Sequence, residues 1–126
     1  MATSVKDLLS AARAAVPAIT PAEAAVLVAN SKALVIDVRD GTEVAASGKV
    51  RGALAISRGL LEFRADPDLP THHPALRKDR PLILYCGSGG RAALAGKTLV
   101  DMGFTDVRNV GGFKDLLDAG WAVEPG

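Results

Sequence analysis

Apolar positions along the chain fall into two patterns, helical spacing and short unbroken runs. Val5, Leu8, Leu9, Ala12 and Val16 recur at helical spacing, and Ser4 with Asp7 three residues on supplies a helix start. The spacing predicts a first amphipathic helix over 5–16, ended by Pro17. Thr20-Pro21-Ala22-Glu23 combines a cap, a first-turn proline and a glutamate at the third helical position, so a second helix is expected to about Ala29. Ala33 to Val38 and Pro81 to Tyr85 are short apolar runs without alternation, the signature of strands buried on both faces of a parallel sheet. Shorter strands are expected at 53–56 and 107–110, and helices at 41–46, 91–102 and 113–119. Residues 64–80, with three prolines, several charges and both histidines, read as a surface loop. Strands alternating with helices predict an α/β domain: a central parallel sheet of about five short strands with helices on both faces.

Composition narrows what such a domain can do. At 126 residues the chain suggests one domain, 18–126, with residues 1–17 as an N-terminal helical extension. Fifteen basic against fourteen acidic residues leave a net charge of +1, and only five residues are aromatic. That composition argues against a nucleic-acid binder, which needs excess cations or stacking platforms. No apolar run approaches the ~20 residues of a membrane span, and Lys6, Asp7 and Arg13 interrupt the first sixteen residues, so a cytoplasmic location is expected. A lone cysteine excludes an internal disulfide and a cysteine-rich zinc site.

That cysteine, Cys86, follows the most apolar strand and opens the turn Gly87-Ser88-Gly89-Gly90, with Arg91 starting the next helix. In open α/β sheets ligands bind beyond the carboxyl ends of strands. A helix start brings unpaired N–H groups, the glycines let the backbone curl so that those groups point inward, and Arg91 adds a permanent cation. All three favour a thiolate, the nucleophilic form, over a buried inert thiol. Two other templates fail. Gly87-x-Gly89-x-x-Ala92 fits a dinucleotide turn, but the following strand reads Val107-Arg108-Asn109-Val110 with no acidic end. Gly96-Lys97-Thr98 resembles a phosphate loop but lacks the upstream glycine and falls inside a helix. His72 and His73 lack partners at metal-ligand spacing.

Taken together, several segments resemble the single-domain rhodanese-like sulfurtransferases. They are Ala33 to Asp40 with its Asp37-x-Arg39 end, Gly52-Ala53 with Ile56, Arg58 to Phe63, Tyr85 to Arg91, Met102-Gly103-Phe104, and Gly111-Gly112-Phe113 through Gly120. Two positions depart from the family pattern: Lys49-Val50-Arg51 stands where His-Ile-Pro is usual, and Leu116 where a tryptophan is usual. The resemblance implies a Cys86 persulfide that takes sulfur from thiosulfate or a similar donor and passes it to a thiol, cyanide or protein acceptor, with no metal or organic cofactor. It implies donor binding by Gly87, Ser88, Gly89, Gly90 and Arg91, with Arg58 a further candidate for the sulfonate end and Glu62 beside it. Asp37 and Arg39 are expected to be structural. A related branch of cysteine-dependent phosphatases has five residues between cysteine and arginine; this chain has four, which favours sulfur transfer. A persulfide carrier that relays sulfur between proteins, with little small-molecule turnover, is the alternative.

Overall fold

A computed structural model of the chain describes residues 2–126. Two capped helices lead, α1 (Val5–Ala15) and α2 (Pro21–Ser31); in each, the Ser4 or Thr20 hydroxyl and the acidic residue three positions on exchange hydrogen bonds with each other's backbone N–H. There follow β1 (Leu34–Asp37), α3 (Gly41–Ser47), β2 (Lys49–Val50) and β3 (Leu54–Ala55). A 3₁₀ turn (Arg58–Leu60) runs into α4 (Leu61–Ala65), and then come β4 (Leu82–Cys86), α5 (Gly90–Asp101), β5 (Val107–Gly112), α6 (Phe113–Asp118) and β6 (Val123–Glu124).

The parallel sheet has four strands in the order β3-β1-β4-β5 rather than about five. A single-residue bridge from Ala18 to Asn109 extends it beyond β5. The remaining two strands, β2 and β6, pair antiparallel with each other. Sequence pattern does not reveal that ribbon, because each strand is two residues long and its partner lies more than seventy residues away. The segment read as a loop from residue 64 begins inside α4, whose Leu61 and Ala65 are fully buried.

Strand alternation sorts the core into two layers. Leu34, Ile36 and Val38 of the β1 segment, with Leu82, Leu84 and Cys86 of β4, face one cluster completed by Ala92, Ala95 and Leu99 of α5, Leu61 of α4 and Val16 after α1. Val35, Ile83 and Tyr85 face the other, with Ala24 of α2 and Leu116 of α6. Leu116, at the position where the resemblance leads one to expect tryptophan, is fully buried, and Trp121 packs partly buried against the same cluster. On the first face α1 lies along α5: Leu9 flanks Gly90, and the methyls of Val16 occupy the space a side chain at Gly96 would need. Among the described residues no helix is long and apolar enough to cross a membrane.

Candidate active site

Cys86 is the last residue of β4 and, by the same alternation, points to the face that α5 covers. Its side chain is therefore set beneath the N-terminus of that helix, and the residue is 1% exposed. The backbone N–H of Gly89 reaches Sγ at 3.0 Å and that of Ala92 at 3.4 Å. These are donors left unpaired by the start of a helix, here spent on sulfur. Gly87 and Ser88 form the exposed crest of the loop, Gly89 is buried, and Gly90 begins α5. Gly89 sits at φ +102°, a conformation that a side chain would strain, and this fold of the backbone turns the loop N–H groups inward.

The end of β5 supports the loop from below. A register shift opposite Leu84 and Tyr85 marks a β-bulge, which brings Gly111, at φ +100°, and Gly112 against the loop. A methyl group on Gly112 would fall closer to the Gly87 carbonyl oxygen than atoms can approach, so only glycine fits there. Asn109 donates from Nδ2 to the Gly89 carbonyl at 3.0 Å and accepts from Gly111 N–H at 2.9 Å, tying the bulge to the loop.

Arg91 starts α5 as expected, but its guanidinium is engaged. Nη1 and Nη2 donate to Glu43 Oε1 and Oε2 at 2.5 and 3.0 Å, a two-pronged ion pair between α5 and α3. Hydrogen bonding from Arg91, with a smaller contribution from the Asp40 N–H, outweighs partial burial and holds the Glu43 carboxyl down at about 2. The pair lies beside the first loop residue: Nη2 is 3.0 Å and Oε2 3.9 Å from where a Cβ at Gly87 would stand. Arg58 takes a different course. Its guanidinium binds Glu62 Oε1 at 2.8 Å and Thr98 Oγ1 at 2.9 Å, more than two helical turns along α5 from the loop. Cys86 to Arg91 thus come together as one unit, and Arg58 with Glu62 forms a separate cluster.

Asp37 and Arg39 form a buried pair at 2.7 Å, 0% and 4% exposed. Arg39 also donates to the Ser47 hydroxyl and the Gly48 carbonyl, and its guanidinium lies 4.1 Å from the Phe113 ring centre. Its work is to anchor the end of α3, whose Glu43 then meets Arg91. His73 Nδ1 accepts from Ala75 N–H and the His72 ring lies 3.2 Å from the Leu76 carbonyl, so both bind their own loop. No metal-binding cluster of three or more such side chains occurs among the described residues. Three contributors carry no assigned site role in the sequence reading: Glu43, Asn109 and Gly112. Glu43 is 48 positions from Arg91 and carries no local signal of that partnership.

The profile of the rhodanese-like domain matches residues 20–119, leaving α1 outside. An uncharacterized protein of Bacillus subtilis, YqhL, is 36% identical over 84 residues, 66% of this chain and only 60% of that relative's length. A solved structure of a protein of unknown function from Rhodopseudomonas palustris, described as a possible tyrosine phosphatase, superposes with TM-score 0.89 at 35% identity, over 98% of this chain and 96% of that one. The polysulfide-sulfur transferase of Wolinella succinogenes gives TM-score 0.72 at 33% identity over 94% and 85% of the two chains. A human single-domain sulfurtransferase gives 0.69 at 27% identity over 81% and 96%. The matched span carries the whole parallel sheet, the cysteine loop and its braces, and on that ground the chain belongs to the rhodanese-like domain family.

Proposed function

We propose that this protein moves a sulfane sulfur through a persulfide on Cys86. Family membership and sulfurtransferase neighbours support a sulfurtransferase-type enzyme in general. The observation that carries the specific reading is the convergence of the Gly89 and Ala92 N–H groups on Cys86 Sγ. In the first step the Cys86 thiolate attacks the outer sulfur of thiosulfate or a similar donor. The S–S bond of the donor breaks, its electron pair leaves with sulfite, and Cys86–S–S⁻ remains. In the second step an acceptor thiolate, cyanide or protein thiol attacks the outer sulfur and restores the Cys86 thiolate. Preorganised N–H donors favour the negative charge on sulfur in both states without having to reorient. The remaining residues act by position: Asn109 and Gly112 fix the loop, and the Arg91–Glu43 pair pins its outer edge.

The description of the Rhodopseudomonas neighbour raises phosphate-ester hydrolysis as a second reading. Loop size argues against it. Four residues separate Cys86 from Arg91, and the inward N–H groups already lie within 3.0–3.4 Å of the sulfur itself. A loop closed that tightly suits one added sulfur better than a tetrahedral phosphoryl group.

The test is direct. Incubation with excess thiosulfate, and separately with polysulfide, is expected to add about 32 Da at Cys86, the mass of one sulfur, and cyanide should remove it as thiocyanate. Cys86→Ser should fold normally and show neither the mass gain nor turnover, because a hydroxyl is a far weaker nucleophile. A Cys86-dependent release of phosphate from an aryl phosphate, with no persulfide from either sulfur donor, would overturn the proposal. Thiocyanate formation in many turnovers identifies an enzyme acting on small molecules; stoichiometric loading with slow release to cyanide identifies a relay carrier.

A further inference from the structure

The charge around the loop runs against what a cysteine–arginine motif suggests. Among the described residues Arg91 is the cation placed against the loop, and Nη1 and Nη2 of its guanidinium are occupied by Glu43. Asp40 adds a negative charge close enough to act on Arg91, and Asp115 Oδ2 accepts from Gly112 N–H at 3.3 Å, behind the Gly87 carbonyl. One positive charge therefore stands among three negative ones. Other nearby cations have their own partners among the described residues: Arg39 with Asp37, Arg58 with Glu62, and Lys114 with Asp118. Two backbone N–H groups, those of Gly89 and Ala92, are directed at the sulfur itself.

We infer that Glu43 is a specificity-determining residue: by occupying Arg91 it biases the site against small dianionic donors and toward a donor with at most one negative charge beside the transferred sulfur, such as a thiol-borne persulfide. This rests on the Cys86 sulfur-transfer reading and names its donor class. The physical basis is that the energy of an anion in the field of Glu43 scales with its charge, so thiosulfate, a dianion, suffers twice the penalty of a monoanionic thiosulfonate. Both donors react at the same atom. Thiosulfate leaves sulfite, methanethiosulfonate leaves methanesulfinate, and each leaves the same Cys86 persulfide.

The experiment measures the second-order rate constant of Cys86 persulfide formation with each donor. Glu43→Gln keeps a hydrogen-bond acceptor for Arg91 and removes the charge. It is expected to accelerate the methanethiosulfonate reaction about threefold and the thiosulfate reaction about tenfold, the larger factor being roughly the square of the smaller. Glu43→Asp keeps the charge and should leave the ratio of the two rates within about twofold of the parent. For the unaltered protein, the thiosulfate reaction should speed up as sodium chloride is raised from about 20 to about 300 mM, and more steeply than the thiosulfonate reaction, as screening weakens the repulsion. A Glu43→Gln protein that slows both donors alike would make Glu43 a brace for the loop and nothing more, and would overturn the inference. So would a thiosulfate rate that falls with salt, a result that needs no variant at all. Failure of the underlying reading looks different: saturating concentrations of either donor would leave the mass of Cys86 unchanged.

Discussion

Substituting Gly112 by alanine tests whether the loop's position, apart from any chemical group, sets the reactivity of Cys86. Gly112 lies at φ −109° and ψ 154°, extended backbone that alanine adopts without strain, so the added methyl is the whole perturbation. That methyl would stand 2.4 Å from the Gly87 carbonyl oxygen. An ordinary carbon–oxygen contact is about 3.3 Å, so the two backbones must separate by about 0.9 Å. Gly87 adjoins Cys86, and Gly89, whose N–H holds Sγ at 3.0 Å, is two residues further on. Moving reacting groups by about 1 Å costs on the order of 100-fold in rate, so persulfide formation by Gly112→Ala should fall between tenfold and 100-fold. Overpacking should also remove about 1–3 kcal/mol of stability. Persulfide formation is followed by mass spectrometry under excess donor, and stability by urea denaturation. Gly59→Ala is the matched control, because a methyl there meets nothing within 4 Å and the backbone angle is not left-handed. A Gly112→Ala protein with the parent's rate would refute the reasoning, and one that loses stability but keeps the rate would show that β5 yields and the loop does not.

Two further predictions concern what holds the site in place. Asp37→Asn leaves the guanidinium of Arg39, 4% exposed, without its counter-charge, and should cost about 3–5 kcal/mol by urea denaturation. Replacing both residues together with apolar ones should cost less than the single change, since no unpaired charge remains. The second uses Tyr85, the chain's one tyrosine, whose near-ultraviolet phenolate band therefore reports a single site. Burial, reinforced by the nearby Asp37 carboxylate, pushes its hydroxyl above the ordinary value near 10 and favours the neutral form in the folded state. The stabilisation is complete below pH 10 and is lost as pH rises beyond it, so the phenolate band should emerge late and together with loss of tertiary structure. An early band in a protein that is still folded would contradict the buried placement.

Much of the architecture is legible in local pattern. The two buried strands follow from short unbroken apolar runs, the capped helices from the 3.6-residue period and their start signals, and the glycine turn after Cys86 from turn chemistry, all of which act over a few residues. What the sequence leaves open is everything settled by partners far along the chain. Lys49 and Val50 become a strand only because Val123 and Glu124 return to meet them. Gly111-Gly112 reads as a turn and is in fact the bulged end of β5, because the loop after β4 needs a backbone without side chains beneath it. Arg91 reads as a free cation at a helix start, and Arg58 as a second one. In the folded chain each is committed to a carboxylate, Glu43 from α3 in the first case and the neighbouring Glu62 in the second. A sequence fixes which groups can ionise, but the field at the sulfur depends on which charges the fold brings within a few ångströms, and Coulomb energy is governed by that distance rather than by position along the chain.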